Sequence, residues 1–120
     1  MTMTTTAADT VRKSIISNSI PLSTVEVTRD TYKGKIDPDW CPGCGDFGVL
    51  TAMQKALSQL GRQPHEVITI SGIGCSSNLP GFINTYGMHT LHGRSLAVAT
   101  GVKMANHELT VLVTGGDGDG

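Results

Sequence analysis

The sequence predicts an α/β fold in which a parallel sheet carries helices on both faces. Two short β-branched runs, at residues 67–70 and 109–114, each lead directly into a glycine-rich loop. A segment with helical periodicity precedes each run, at residues 46–60 and 94–106. The order helix, strand, loop, repeated once, is typical of a parallel sheet covered on both faces. Such sheets bind ligands at the carboxyl ends of their strands, so both glycine loops are expected at a functional edge.

The first 36 residues differ from the rest of the chain. They are rich in Thr and Ser, contain Pro21 and show no sustained helical or strand period. This composition predicts a flexible amino-terminal arm over residues 1–36. Within it, Val25 and Val27 alternate with polar neighbours and favour one short edge strand. Residues 37–120 form the second unit, which carries the motifs described below.

The first predicted helix has Asp46 as its N-cap and Gly61 as its stop. Its apolar residues follow the i, i+3, i+4, i+7 spacing of one helix face; they are Val49, Leu50, Met53, Ala56, Leu57 and Leu60. The β-branched residues 67–70 follow Pro64 and end before Gly72, which predicts a buried strand.

The second predicted helix, residues 94–106, is apolar on most sides and contains Gly101, where close packing is possible. The second strand follows at residues 109–114 and runs into the glycine loop 115–120. Two strands alone leave a parallel sheet poorly covered. We therefore expect the fold to be incomplete at the carboxyl end of the chain. The chain is then part of a longer protein or an assembly, and it does not fold stably alone.

Composition excludes several classes of protein. The 120 residues carry a net charge of −1 with nine basic residues spread along the chain, which argues against a partner that is nucleic acid or an anionic membrane. No apolar run approaches the ~20 residues of a membrane-spanning helix, and the start shows no secretory signal. Three cysteines cannot all pair within one chain, so a disulfide framework is disfavoured. Thiols that serve as ligands would point to a reducing cytoplasm.

The three cysteines lie on two loops. Cys41 and Cys44 form a C-x-x-C motif, and Cys75 lies in the glycine loop 71–77. Thiolates at this spacing can bind one metal centre, because the loop wraps around it and glycines expose N–H groups to the sulfur atoms. An iron–sulfur cluster needs a fourth ligand that this chain's cysteines do not supply. A zinc site needs a histidine, and a thioredoxin-like redox pair leaves Cys75 unexplained.

The second glycine loop carries two aspartates, Asp117 and Asp119, at the end of the predicted strand 109–114. A carboxylate at this position can hold Mg²⁺, whose coordination is completed by diphosphate oxygens, while backbone N–H groups approach the phosphates. Gly-Asp-Gly is common in turns. Its place at a strand end is what favours a ligand site here.

Five segments together resemble the amino-terminal part of the β subunit of 2-oxoacid:ferredoxin oxidoreductases. They are Asp-Trp-Cys-Pro-Gly-Cys-Gly at 39–45, Ser-Gly-Ile-Gly-Cys-Ser-Ser at 71–77, Tyr-Gly-Met-His-Thr-Leu-His-Gly-Arg at 86–94, Ala-Thr-Gly-Val-Lys at 99–103 and Gly-Asp-Gly-Asp at 116–119. The resemblance implies a thiamine-diphosphate-binding fold over residues 37–120. It also implies oxidative decarboxylation of a 2-oxoacid, with 2-oxoglutarate favoured, to acyl-CoA and CO₂.

The same resemblance implies cofactors and partners. Electrons pass through a [4Fe–4S] cluster to ferredoxin, coenzyme A takes the acyl group, and an α subunit completes the enzyme. Cys41, Cys44 and Cys75 match three cluster ligands, and Asp117 matches a Mg²⁺ ligand at the thiamine diphosphate. The fourth cluster cysteine and the remaining Mg²⁺ ligands lie later in the family's sequences.

The resemblance further implies roles for residues around the cofactor. His92 and Asn78 are the candidate catalytic residues, and Asn78 occupies a position near the substrate carboxylate where some relatives carry a cation. The expected cofactor-binding residues are Gly72, Ile73, Gly74, Ser76, His92, Gly116, Asp117, Gly118 and Asp119.

Two alternatives remain beside this hypothesis. A small zinc-binding structural or interaction module would be held by the three cysteines and one of His65, His89, His92 or His107. A thiamine-dependent decarboxylase without a cluster would leave the three cysteines without a role. Iron, sulfide and colour in the purified protein distinguish the cluster from zinc.

Overall fold

The computed structural model describes residues 24–120. Its strands are β1 (Val67–Ser71), β2 (Tyr86–His89) and β3 (Thr110–Thr114), and its α-helices are α1 (Asp46–Gln59), α2 (Leu79–Phe82) and α3 (Ser95–Ala105). Three short 3-10 helices lie at Asp30–Tyr32, Pro64–Glu66 and Cys75–Asn78. No helix in this range is long and apolar enough to cross a membrane.

The three strands form one parallel sheet in the order β2-β1-β3. In the central strand, Ile68 pairs with Tyr86 of β2 on one side and with Val111 of β3 on the other. All five residues of β1 are buried, as expected for a β-branched strand covered on both faces. The parallel α/β sheet predicted from the sequence is confirmed.

The strand β2 is absent from the sequence-based prediction. Its four residues are all exposed and include a glycine and a histidine, so they lack the β-branched run that marks a buried strand. At Gly87 a Cβ atom would lie 3.3 Å from Cβ of Pro80, which shows how closely β2 passes α2. Pairing with β1 is therefore what makes this segment a strand.

Two hydrophobic clusters lie on opposite faces of the sheet. Val67 belongs to the larger cluster and Ile68 to the smaller one, because successive side chains of a strand point to opposite faces. The smaller cluster joins Ile68, Ile70 and Ala99, on the α3 side. The larger one consists of Tyr32, Trp40, Leu50, Leu57, Val67, Leu79, Phe82 and Ile83.

The buried face of α1 differs from the predicted one. Leu50 and Leu57 are buried, as expected, but Val49 and Leu60 are 46% and 69% exposed. The polar Gln54 is buried instead, and its Nε2 donates to a backbone carbonyl oxygen at 3.4 Å. The buried face of α1 is thus rotated toward Gln54, a polar residue that hydrophobic periodicity does not select.

The ends of α1 are partly as predicted. The helix begins with Asp46 in its first turn and Gly45 as N-cap, so the predicted N-cap is wrong. The Asp46 carboxylate accepts a hydrogen bond from Ser76 Oγ at 2.8 Å instead of capping its own helix. Gly61 has φ +65°, a conformation that favours glycine and ends a helix.

Helix α3 matches the predicted segment 94–106 to within one residue at each end. Ser95 and Ala99 are buried, whereas Leu96 and Met104 are 67% and 70% exposed. Among the described residues, α3 is therefore covered on one face only and not on most sides.

Residues 24–36 differ from the predicted flexible arm, whose residues 1–23 lie outside the described part of the chain. Tyr32 is fully buried, its carbonyl oxygen accepts from the Asn84 N–H at 3.0 Å, and Lys33 forms an antiparallel bridge with Ile83. A Cβ atom at Gly34 would lie 2.5 Å from the Phe82 backbone. These tertiary contacts fix a segment that composition alone describes as unstructured.

The predicted edge strand at residues 25–27 is wrong. No strand is present there, because Val25 pairs with a side chain in place of a neighbouring strand. The Val25 N–H donates to Gln63 Oε1 at 3.0 Å, and Gln63 Nε2 donates to the Val25 carbonyl oxygen at 2.9 Å.

Candidate functional site

The two glycine loops meet at the carboxyl edge of the sheet. The Gly72 N–H donates to the Thr114 carbonyl oxygen at 3.1 Å, and the Gly116 N–H donates to the Ile73 carbonyl oxygen at 2.9 Å. Gly74 has φ +116°, and a Cβ atom on it would lie 2.8 Å from Cα of Gly116. Side chains are excluded from this contact, so the loops after β1 and β3 lie backbone to backbone.

The Asp119 carboxylate lies between these loops and the one after β2. Its Oδ2 accepts from the Ile73 N–H at 2.9 Å and its Oδ1 from the Gly93 N–H at 2.7 Å. His92 Nδ1 is 2.8 Å from the same Oδ1. The pKa of Asp119 lies below its ordinary value, mainly because the Gly93 N–H donates to the carboxylate and, as the second cause, because the Ile73 N–H does so too. Asp119 is therefore a carboxylate at neutral pH.

Asp117 differs from Asp119 in its surroundings. It is exposed, lies in the turn after β3, and its Oδ1 accepts the N–H of the next residue, Gly118, at 3.0 Å. The Asp119 N–H closes the turn on the Gly116 carbonyl oxygen at 3.1 Å. An exposed carboxylate among glycine N–H groups has the chemistry of a Mg²⁺ ligand beside a diphosphate, so the residues fit this group.

The C-x-x-C motif forms a closed turn. The Cys44 N–H donates to the Cys41 carbonyl oxygen at 3.0 Å, and Gly43 has φ +80°, which a residue with a side chain rarely adopts. Cys41 is exposed and Cys44 is partly buried. The turn therefore holds the two thiols on one short loop.

Two hydrogen bonds join this turn to the loop after β1. Trp40 Nε1–H donates to the Cys75 carbonyl oxygen at 2.8 Å, and Ser76 Oγ–H donates to Asp46 Oδ1 at 2.8 Å. Trp40 also contacts Phe82 edge to face, with ring centroids 5.0 Å apart. Trp40 therefore packs in the core and also hydrogen-bonds to the loop that carries Cys75. Asp46, which the sequence marked only as a cap, links the two cysteine loops.

The three thiols lie on neighbouring loops but are not gathered around one point. Within residues 24–120, no group of three or more His, Cys, Asp or Glu side chains is placed to hold a metal ion. Cys41, Cys44 and Cys75 are all free. Three thiols can supply three of the four ligands that a [4Fe–4S] cluster needs. The fourth ligand has no counterpart among this chain's cysteines.

The remaining candidates divide between the two edges of the sheet. His92 follows β2, and Asn78 is an exposed residue that ends the 3-10 helix after β1. His65 and His107 precede β1 and β3 and line a cavity of about 520 Å³ at the amino edge. Of the four histidines considered for zinc, only His89 and His92 share the cysteines' edge.

Sequence reasoning also missed a pair at the strand ends. Ser71 Oγ and His89 Nδ1 lie 2.8 Å apart, because the register of β1 and β2 places the two residues opposite each other. Each residue ends its strand, but nothing in the local sequence indicates that the two meet. Recognising the pair required the strand β2, which the sequence did not predict.

Comparison with known proteins finds a matching family and sequence relatives over this region. Residues 72–120 match the family described as thiamine pyrophosphate enzyme, C-terminal TPP binding domain. The chain is 57% identical over 89 residues to 2-oxoacid:ferredoxin oxidoreductase 1, subunit beta, of Aeropyrum pernix, covering 74% of this chain and 28% of that one. It is 49% identical over 80 residues to 2-oxoglutarate oxidoreductase subunit KorB of Mycobacterium tuberculosis, covering 67% and 21%.

A solved structure shows the same fold. The 2-oxoglutarate:ferredoxin oxidoreductase from Magnetococcus marinus, determined with 2-oxoglutarate, coenzyme A and succinyl-CoA bound, superposes with a TM-score of 0.75 at 51% identity, over 77% of this chain and 32% of that one. The chain thus spans about a third or less of the length of these proteins. In sequence and in fold, it is a relative of the β subunits of 2-oxoacid:ferredoxin oxidoreductases and corresponds to their amino-terminal portion.

Proposed function

We propose that this chain forms part of the β subunit of an enzyme that oxidises a 2-oxoacid with thiamine diphosphate, Mg²⁺ and a [4Fe–4S] cluster. One observation carries the proposal: the loop with Cys75 and the loop with Asp117 lie backbone to backbone at one edge of the sheet. Single-electron transfer requires a short distance between cofactor and cluster. Joining the two loops by hydrogen bonds supplies that proximity.

Each loop has its own task in this proposal. Asp117 holds Mg²⁺, and Gly116 and Gly118, which have no side chains, let the loop backbone pass close to the diphosphate. Cys41, Cys44 and Cys75 hold three corners of the cluster. When bound, thiamine diphosphate supplies the carbanion chemistry of decarboxylation, while the protein orients it and shields it from water.

The substrate class follows from the relatives. One sequence relative and the solved structure described above are named for 2-oxoglutarate, so we propose 2-oxoglutarate, with coenzyme A as acyl acceptor and ferredoxin as electron acceptor. Asn78 hydrogen-bonds the substrate carboxylate, and His92 contacts the reacting region. An α subunit completes the site.

The test uses the anaerobically purified complex that contains this subunit. We expect iron, acid-labile sulfide, broad absorbance near ~400 nm and ferredoxin reduction that is faster with 2-oxoglutarate than with pyruvate. The Cys75→Ser variant should lose most of the iron. His107→Asn, at the opposite edge, is the matched control and should keep it. A colourless complex that contains zinc, or iron retained in Cys75→Ser, would overturn the proposal.

A further inference from the structure

We propose that Asp119 is a positioning residue that joins three strand-end loops and holds His92 in one orientation, and that it does not bind the metal or the cofactor. This inference rests on the proposed function and separates the two aspartates of the Gly-Asp-Gly-Asp motif. Asp117 is the ligand, and Asp119 holds the surrounding loops in place.

Both carboxylate oxygens of Asp119 already accept hydrogen bonds from this chain. Oδ2 accepts from Ile73 at 2.9 Å, and Oδ1 accepts from Gly93 at 2.7 Å and lies 2.8 Å from His92 Nδ1. The side chain is 2% exposed. These donors occupy three of the roughly four lone-pair sites of the carboxylate, and the enclosed side chain is not open to a cation from solvent.

The partners of Asp119 lie on the loops that follow the other two strands. Ile73 follows β1, His92 and Gly93 follow β2, and Asp119 follows β3. One carboxylate thereby connects the carboxyl ends of all three strands. The neighbouring backbone has room for it only because Gly72 lacks a side chain, since a Cβ atom there would lie 1.6 Å from Oδ2 of Asp119.

The same carboxylate contacts the imidazole of His92. A carboxylate can only accept, so in this contact the proton of His92 is on Nδ1. In the neutral ring the lone pair is then on Nε2. The His92 side chain is 65% exposed, so Asp119 fixes the ring at one nitrogen and leaves the other accessible at the edge where Asp117 lies.

The decisive variant is Asp119→Asn in the complex. The amide keeps the size of the side chain but places an N–H group against either the Ile73 or the Gly93 N–H. In the cofactor-free complex, we expect amide hydrogen exchange in peptides containing these residues to rise about tenfold, the equivalent of one lost hydrogen bond. Asp117→Asn should leave this exchange unchanged and weaken binding of thiamine diphosphate, whereas exposed Asp37→Asn should change neither.

Activity provides the second measurement. We expect Asp119→Asn to lower kcat about 10- to 100-fold, as loss of a group that orients a functional side chain does, with the KM for 2-oxoglutarate nearly unchanged. His92→Gln should have a similar cost. The double variant should cost no more than either single change, because the two residues act as one unit. A purely structural role for Asp119 would instead make the two losses multiply.

Several results would overturn the inference: unchanged exchange around Ile73 and Gly93, multiplicative losses in the double variant, or an Asp119→Asn complex whose defect is weakened cofactor binding. If Asp119→Asn does not assemble, the exposed His92→Gln variant carries the test, since it must lose activity while keeping the exchange protection. A wild-type complex that oxidises no 2-oxoacid would refute the proposed function, whereas the exchange measurement would still test the contacts of Asp119.

Discussion

Gly72 and Asp119 occupy one small volume at the edge of the sheet. The aspartate side chain is buried there with two backbone hydrogen bonds, and the glycine is what leaves space for it. An ionised carboxylate without such donors would carry a large desolvation penalty. At the scale of the residue, the site therefore depends on the lack of a side chain at Gly72 as well as on the carboxylate of Asp119.

This dependence predicts the effect of Gly72→Ala. The new methyl group would overlap Asp119 Oδ2, so we expect displacement of the carboxylate and a loss of about 1–3 kcal/mol in the free energy of unfolding. Gly48→Ala in α1 is the control, since nothing lies within 4 Å of its Cβ position. That change should be neutral or stabilise by up to about 1 kcal/mol. Chemical denaturation of both variants checks the pair, and equal effects would contradict the prediction.

The buried hydroxyl of Tyr32 should make the free energy of unfolding depend on pH in the alkaline range. Burial raises the pKa of its hydroxyl above the ordinary value of 10.0, and the hydroxyl donates to the Arg62 carbonyl oxygen. A group whose pKa is higher in the folded state stabilises the fold below its ordinary pKa, and this contribution is lost as pH rises through the folded value.

Tyr32→Phe should therefore cost about 1 kcal/mol at neutral pH and flatten the fall in stability above pH 10.0. Denaturation at a series of pH values measures both effects. Tyr86→Phe is the control, because Tyr86 is 49% exposed. An alkaline fall that survives unchanged in Tyr32→Phe would show that another group causes it.

At the scale of the element, α1 shows why periodicity gives a helix but not its exact face. Leu57 and Leu60 both satisfy the i, i+3, i+4, i+7 pattern, yet they are 2% and 69% exposed. The face is set by what α1 contacts: Gln54 donates to the Tyr32 carbonyl oxygen. A segment more than twenty residues away in sequence thereby fixes the rotation of the helix about its axis.

This rotation predicts unequal costs for two identical substitutions. Leu57→Ala removes a buried side chain and should cost about 2–5 kcal/mol. Leu60→Ala removes an exposed one and should change stability by no more than about 0.5 kcal/mol. Midpoints of chemical denaturation give the comparison. If the two variants were equally stable, the buried face assigned to α1 would be wrong.

At the scale of the whole molecule, the two edges of the sheet carry different groups of residues. The carboxyl edge collects the cysteine loops and Asp117. At the amino edge, Arg62 Nε donates to Thr110 Oγ1 at 3.0 Å and its Nη2 to the Glu108 carbonyl oxygen at 3.4 Å. Arg62 therefore joins the end of α1 to the start of β3, away from the candidate site.

This separation predicts that stability and cofactor binding can be changed independently. Arg62→Lys removes the forked geometry of the guanidinium and should cost about 1–2 kcal/mol. The dissociation constant for thiamine diphosphate should stay within about twofold of wild type. Exposed Arg29→Lys is the control for stability. Calorimetric titration and denaturation of the same preparations test the prediction, and a large loss of cofactor affinity in Arg62→Lys would contradict it.

Much of the fold was predictable from local pattern. The strands β1 and β3 and the helices α1 and α3 were all predicted within about two residues, because their β-branched runs and helical spacing are local properties. Residues 24–36 and β2 were not, since Tyr32 is held by a carbonyl contact to Asn84 and β2 by pairing with β1. Both depend on partners distant in sequence.

For the site, the sequence by itself determined the residue types: Cys75 and two aspartates, with their glycines, after strands, and two more cysteines in the turn before α1. Only the tertiary structure decided that Asp117 is exposed while Asp119 is enclosed, although the two have the same local motif. Only it decided that Asp46 links the cysteine loops. The physical reason is that hydrogen-bond donors for a buried carboxylate come from other strands, and their positions follow from the register of the sheet.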